Sequence, residues 1–138
     1  MKPTSSLLPT PDAGLLLLRV IPSLMMISHG WPKMQKLLAE WGTDEGVQFM
    51  DFLGLGAEIS LILTVIAELF APVLLIVGWK TRWAALTVAF TMFVAAFVAH
   101  GDDPFQKKEL ALLYLVCFAS ISALGPGQLS LDARGKKT

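Results

Sequence analysis

The chain has 138 residues, enough for one domain, and is 54% hydrophobic with only 16% charged residues. An average soluble domain carries roughly 25% charge, so a mean hydropathy of +0.62 leaves too little polar surface for a water-soluble fold. The 11 basic and 11 acidic side chains cancel to a formal net charge of zero, which excludes the basic footprint of a nucleic-acid-binding protein.

The N-tail, 1–12, is polar and proline-rich. No small-residue cleavage site follows the first apolar run, so that run is expected to stay as a membrane anchor. Asp12 is the expected N-cap of the first helix. That helix is expected over about 13–30, and Arg19 and Pro22 lie inside it. At 100° per residue, Arg19, Met26, Gly30 and Lys33 fall on one stripe, a polar face that should look into a bundle. The long link 29–58 contains EGVQFMDFL (45–53), whose mixed apolar and acidic pattern predicts a short interfacial helix. A second helix is expected over 57–78, with Glu68 near its middle and Pro72 one turn later. Gly78 ends it, and a tight turn with Lys80 and Arg82 follows.

A third helix is expected over 83–100. It is uncharged before His100, and Ala85, Ala89 and Ala96 on one side permit close packing. A soluble helix would show a broad polar face there. The fourth helix, 109–125, starts at Glu109 and is stopped by Gly125-Pro126-Gly127, leaving a basic C-tail over 126–138. A bilayer core of ~30 Å needs about 20 helical residues. The expected fold is therefore all-α, an integral membrane four-helix bundle with an interfacial helix between helices one and two.

Loop charge sets the expected orientation. Lys2, Lys80, Arg82, Arg134, Lys136 and Lys137 fall on one side, against Lys33, Lys36, Lys107 and Lys108 on the other. That places both termini in the cytoplasm. Trp31, Trp41, Trp79 and Trp83 stand near helix boundaries, as an interfacial belt would.

An ionisable group inside a bilayer costs several kcal/mol unless it is paired or hydrated. Arg19 and Glu68 differ in expected depth by only ~6 Å at 1.5 Å rise per residue. They are expected to pair, as a buried clamp or around a functional carboxylate. His29, Lys33, Glu58, His100 and Glu109 converge by depth at the outer end. Glu109, Val116 and Ser120 share a face that would turn Glu109 inwards. Such a group fits a proton relay or a polar head-group site, and interfacial residues touching water are the plainer reading. Pro22 and Pro72 mark possible kinks beside a cavity. The lone Cys117 excludes a CxxC pair and is expected in the core, and no Cys/His cluster has zinc spacing.

Three segments carry a resemblance: LLLRVIPSLMMISHGWPKMQKL (15–37), AELFAPVLLIVGWKTRWAAL (67–86) and HGDDPFQKKELALLYLVCFASISALGPGQLSLD (100–132). In order and spacing the chain resembles the DoxX family of small bacterial and archaeal membrane proteins. The resemblance implies a multi-pass protein of the cytoplasmic membrane. It marks Arg19, His29, Gly30, Lys33, Glu68, Gly78, Arg82, Glu109, Gly125 and Asp132 as the family-pattern positions. It also implies a quinone-linked or thiol/sulfur-linked redox setting, although the chain lacks the paired cysteines of self-contained thiol chemistry.

The leading expectation is a membrane subunit of a redox system that binds a lipophilic ligand, such as a quinone, inside the bundle. The alternative is a non-catalytic scaffold or anchor for a partner enzyme, and a small transporter is a third. No metal or cofactor motif is evident. The expected partners are the lipid bilayer, a redox protein and further copies of the chain, with no nucleic acid.

Overall fold

The computed structural model describes residues 10–136. Lys2, Lys137 and most of the polar N-tail lie outside the described residues. Helix α1 spans Pro11–Glu40, α2 Ala57–Val77, α3 Thr81–Ala99, α4 Phe105–Leu124 and the short α5 Leu131–Gly135. α1 runs along α2, α2 along α3 and α3 along α4, and α4 closes back on α1. α1, α2 and α3 are long and apolar enough to cross a membrane. Their outward surface is correspondingly apolar, with Leu17, Leu24, Val73, Leu86 and Phe97 all about half exposed.

α1 begins differently from the sequence expectation. Thr10, not Asp12, is the N-cap, and its hydroxyl accepts from the Ala13 amide at 3.3 Å. Asp12 sits in the first turn and instead accepts from the Gln128 amide at 3.0 Å. α1 also continues ten residues past the expected end, through Pro32 to Glu40. Pro22 and Pro32 both lie in its interior without ending it.

No helix forms over 45–53, which corrects the interfacial helix. Gly42, Gly46, Leu53, Gly54 and Gly56 all take positive φ in this link, a conformation that breaks any helical run. The link is a folded loop. Val47 is buried beside Leu61 and Val65 of α2. The Glu40 carboxylate accepts from the Gln48 amide at 2.8 Å, and Asp51 accepts from the Gly56 amide at 2.8 Å.

α2 and α3 each contain a π turn, at Ile66–Phe70 and Ala95–Ala99. Pro72 has no amide hydrogen to offer the Glu68 carbonyl four residues back, and the helix widens there. α2 ends on Gly78 at φ 74°. The Gly78 amide meets the Leu75 carbonyl at 3.2 Å and the Trp79 amide meets the Leu74 carbonyl at 3.0 Å, a Schellman closure.

The core lies mainly between α3 and α4 and takes in Met26 of α1 and Leu75 of α2. Ala85, Ala89 and Ala96 are buried, so α4 approaches α3 closely through Tyr114, Phe118 and Ile121. Cys117 is half-buried rather than in this core. The face of α4 carrying Glu109 and Val116 is exposed, which corrects the inward placement of Glu109.

Candidate functional site

Two clusters of polar side chains sit at opposite ends of the helices. The first is at the end where α2 meets α3. Arg19 is 2% exposed, and its guanidinium donates to the Pro126 carbonyl and, at 2.7 Å, to the Leu129 carbonyl. It does not reach Glu68, which corrects the expected ion pair. Gly30, not Arg19, lies against the Glu68 backbone. Arg19 is eleven residues earlier on the same helix, about 16 Å at 1.5 Å per residue.

Asp132 completes this end. Its carboxylate accepts from the Lys80 and Thr81 amides at 2.8 and 2.9 Å. These are the free first-turn donors of α3, so Asp132 caps a helix that starts 51 positions away in sequence. Partial burial pushes the Asp132 carboxyl up, but the Thr81 and Lys80 amides outweigh it and hold it below the ordinary aspartate value. Arg82 does the reciprocal work on α4, donating to the Ser122 and Ala123 carbonyls at 2.7 and 2.8 Å. A Cβ on Gly78 would stand 2.5 Å from that of Ser130, and one on Gly125 would stand 2.9 Å from the Arg82 guanidinium. These contacts fasten the C-terminal segment to the turn between α2 and α3. Arg19 and Arg82 both spend donors on backbone carbonyls here, and neither lines the cavity of about 430 Å³ that Pro126, Asp132 and Lys136 border.

The second cluster lies around Glu68. Its side chain is 3% exposed and pairs with the Lys33 ammonium, itself about one-third exposed. The π turn at Ile66–Phe70 carries Glu68, and the π turn at Ala95–Ala99 faces it. Single π turns recur at functional sites, because the widened helix redirects a side chain. Here two of them border one space. A cavity of about 170 Å³ is lined by His29, Lys33, Glu68, Met92, His100 and Tyr114. A second, of about 260 Å³, continues it past the same Lys33, Glu68 and His100 towards Phe49 and Thr64.

Of the sequence candidates, His29, Lys33, Glu68 and His100 thus meet in one place. Glu109 lines neither cavity. His29 lies at the mouth, edge-on to the Tyr114 ring at a centroid distance of 5.8 Å. The His100 Nδ1 is 2.7 Å from Asp103, and Lys107 is 3.7 Å from the same carboxylate. The hydrogen bond with His100 is the main cause holding the Asp103 carboxyl below its ordinary range.

Tyr114 is the residue that sequence reasoning passed over. It is 5% exposed, lines the cavity, and its hydroxyl has no hydrogen-bond partner among the described residues. Its only signal in the sequence is that it is the one tyrosine, set in an otherwise apolar LALLYL. A buried hydroxyl without a partner costs roughly 1–3 kcal/mol, so it offers a donor to whatever enters the cavity.

The DoxX family model matches residues 14–101, a stretch that holds Arg19, Gly30, Lys33, Glu68, Gly78 and Arg82. The chain belongs to the DoxX family. Among curated relatives, the inner membrane protein YphA of Escherichia coli is 29% identical over 134 aligned positions, covering 87% of this chain and 89% of that one. The inner membrane protein YqjF of the same organism is 26% identical over 127 positions, covering 88% and 91%. An uncharacterized protein of Haemophilus influenzae is 36% identical over 75 positions, so that match spans about half of each chain. No solved structure matches this chain. With its apolar helices and inner-membrane relatives, this DoxX-family chain is a multi-pass membrane protein.

Proposed function

We propose that this DoxX-family protein is a membrane subunit of a redox system, and that the Glu68 cavity receives the polar head of a quinone-like lipophilic molecule. One observation carries the reading. A buried carboxylate, its ammonium partner and an unpartnered tyrosine hydroxyl all open on the same space. Ionisable groups inside a membrane mark functional sites by default. The residues fit such a head: Tyr114 and Lys33 offer donors, Glu68 accepts, and Met26 and Met92 supply a polarizable apolar wall.

A quinone, when bound, carries two electrons and two protons between the membrane and a partner redox protein. The protein's own part is to orient the head and to hold protons at defined atoms. Glu68 and Lys33 hold the acceptor and the donor side by side at the inner end of the cavity. His29, His100 and Asp103 lead from the mouth to water, and each imidazole can both donate and accept a hydrogen bond.

The membrane arrangement belongs to the same proposal. All four long helices cross, with α4 dipping its charged start, Lys107 to Glu109, into the outer boundary. Lys80, Arg82, Arg134 and Lys136 then face the cytoplasm, which puts the Glu68 cavity in the outer half.

The test is thermal stability of the purified protein with added quinone. A rise in melting temperature that Glu68→Gln abolishes supports the reading. A melting temperature unmoved by quinone overturns it. In the scaffold alternative Lys33–Glu68 is only a clamp, and Glu68→Gln would then cost stability with no effect on any ligand.

A further inference from the structure

A third cavity, of about 210 Å³, lies between α2 and α3 under the loop 41–56. Phe49, Met50, Thr64, Thr91 and Val94 line both this cavity and the one that reaches Lys33 and Glu68. The two spaces therefore meet at a neck. From the neck the third cavity runs past Ala67 towards Leu63, Ile66 and Phe90, which are about half exposed on the apolar outer surface.

The chemistry of the two ends differs. Ser60, Thr64, Thr87 and Thr91 line the lateral cavity, yet each hydroxyl already donates to a carbonyl four residues back, at 2.7, 2.8, 2.9 and 3.0 Å. With those donors engaged, the wall presents methyl groups and phenylalanine rings. Nothing there asks for a polar partner. At the inner end the Tyr114 hydroxyl is unengaged and the Lys33–Glu68 pair is charged. Phe52 of the loop meets Phe90 of α3 edge-on at 6.4 Å and roofs the cavity.

We propose that the lateral cavity is a tail site: it holds a single alkyl or isoprenoid chain whose polar head lies at Lys33, Glu68 and Tyr114, and the ligand enters sideways from the bilayer between α2 and α3. This rests on the head-site reading above and adds its access route. A tail routed through water would expose each methylene to solvent, at a cost that grows with chain length. The lateral route keeps every methylene in apolar surroundings. Because lipid is as apolar as the cavity, the tail site selects by shape rather than by strength.

The experiment is photo-crosslinking of the full chain in phosphatidylcholine nanodiscs. One probe is a benzoquinone with a decyl chain that carries a mid-chain diazirine. The other carries the same chain on a phosphocholine head. The quinone probe is expected to label peptides containing Thr64, Phe90 and Thr91, to be displaced by unlabelled decyl-quinone, and to lose that labelling in Thr91→Phe, which fills the neck. Leu63→Trp, at the outer mouth, is the second variant should the first fail to fold. Equal labelling by both probes, or labelling confined to outward residues such as Leu86 and Phe97, overturns the tail site. A tail-less benzoquinone separates the two ideas. If it shifts the melting temperature but the tailed probe misses the cavity, the head site stands and the route falls. If it does not bind while the tailed probe labels the neck, the route stands and the quinone head falls.

Discussion

Gly30 of α1 lies directly against the backbone of Glu68 in α2: a Cβ at position 30 would stand 2.5 Å from the Glu68 carbonyl oxygen and 2.8 Å from the Leu69 amide nitrogen. This contact fixes the register of the two helices. It sets Lys33, one turn further along α1, over the Glu68 carboxylate. The atoms in the way are backbone and cannot swing aside, so Gly30→Ala must push the helices apart. Overpacking of this kind costs about 1–3 kcal/mol, against a helix-propensity gain of at most ~1 kcal/mol. A net loss is expected. Gly14 sits in the same helix with nothing within 4 Å of its would-be Cβ, so Gly14→Ala should gain up to ~1 kcal/mol. Opposite shifts in melting temperature for one substitution in one helix are the expected result.

The Lys33–Glu68 pair should behave as a unit. Lys33→Met leaves the 3%-exposed Glu68 side chain without its cation, and Glu68→Gln leaves the ammonium without its anion. Each is expected to destabilise by roughly 1–3 kcal/mol, the cost of leaving one member of a partly buried pair unsatisfied. The double variant should be more stable than the sum of the two. Additive losses in a double-mutant cycle would show that the pair contributes no coupling.

Much of this arrangement is legible in the sequence, and the misreadings have physical causes. Hydrophobic runs locate the long helices, and Glu68 stands out as a carboxylate inside one. Its partner is misassigned because Arg19 and Glu68 share a depth only if α1 starts level with Gly78, whereas Gly78 lies beside the Arg19 guanidinium, about two turns into α1. The glycines of 41–56 mix with apolar residues in a way that imitates an amphipathic helix, and only their positive φ reveals a loop. The π turn at Ala95–Ala99 has no proline or glycine to announce it in the sequence. Asp132 and Arg82 cap helices more than 35 positions away, a relation that local pattern cannot carry. Tyr114 reads as one more apolar residue until its hydroxyl is found without a partner.

Acid should loosen the end where Asp132 caps α3. The Asp132 carboxyl is held below the ordinary value of 3.8. A depressed folded pKa contributes stability that is present above the unfolded value and is lost as pH falls through the folded one. Stability from this cap is therefore flat at neutral pH and declines only below about pH 4. Asp132→Asn should remove that acid limb. Asp132→Ala should cost about 0.5–2 kcal/mol at neutral pH, the usual loss of an N-cap. Melting curves from pH 3 to 7 test both, and a limb unchanged in Asp132→Asn would assign it to another carboxylate.

Arg19 should act on the C-terminal segment and leave the cavity alone. Its two bonds go to the Pro126 and Leu129 carbonyls, and hydrogen bonds to charged groups contribute about 1.5–3 kcal/mol. Arg19→Lys keeps the charge but loses the fork that spans both carbonyls. Faster amide hydrogen exchange is expected over 127–132, together with slackening at the Lys80 and Thr81 amides that Asp132 holds. Exchange around Glu68, at the far end of α1, should not change. Coupled loss at both ends would mean that Arg19 tunes the cavity after all.

Tyr114→Phe separates a ligand role from a packing role. The ring stacks on Phe118 at 6.1 Å and meets His29 edge-on, and phenylalanine preserves both contacts. Only the hydroxyl is lost, and that hydroxyl has no partner among the described residues. Removing an unsatisfied buried group should leave stability unchanged or raise it by about 1 kcal/mol. A ligand head that accepts from the hydroxyl should bind more weakly, by roughly 0.5–1.5 kcal/mol, or about 2- to 13-fold in Kd. The expected signature is thus a melting temperature that holds or rises without ligand, together with a smaller ligand-induced shift. A variant that is less stable alone and unaltered in its response to quinone would place Tyr114 in the core and outside the site.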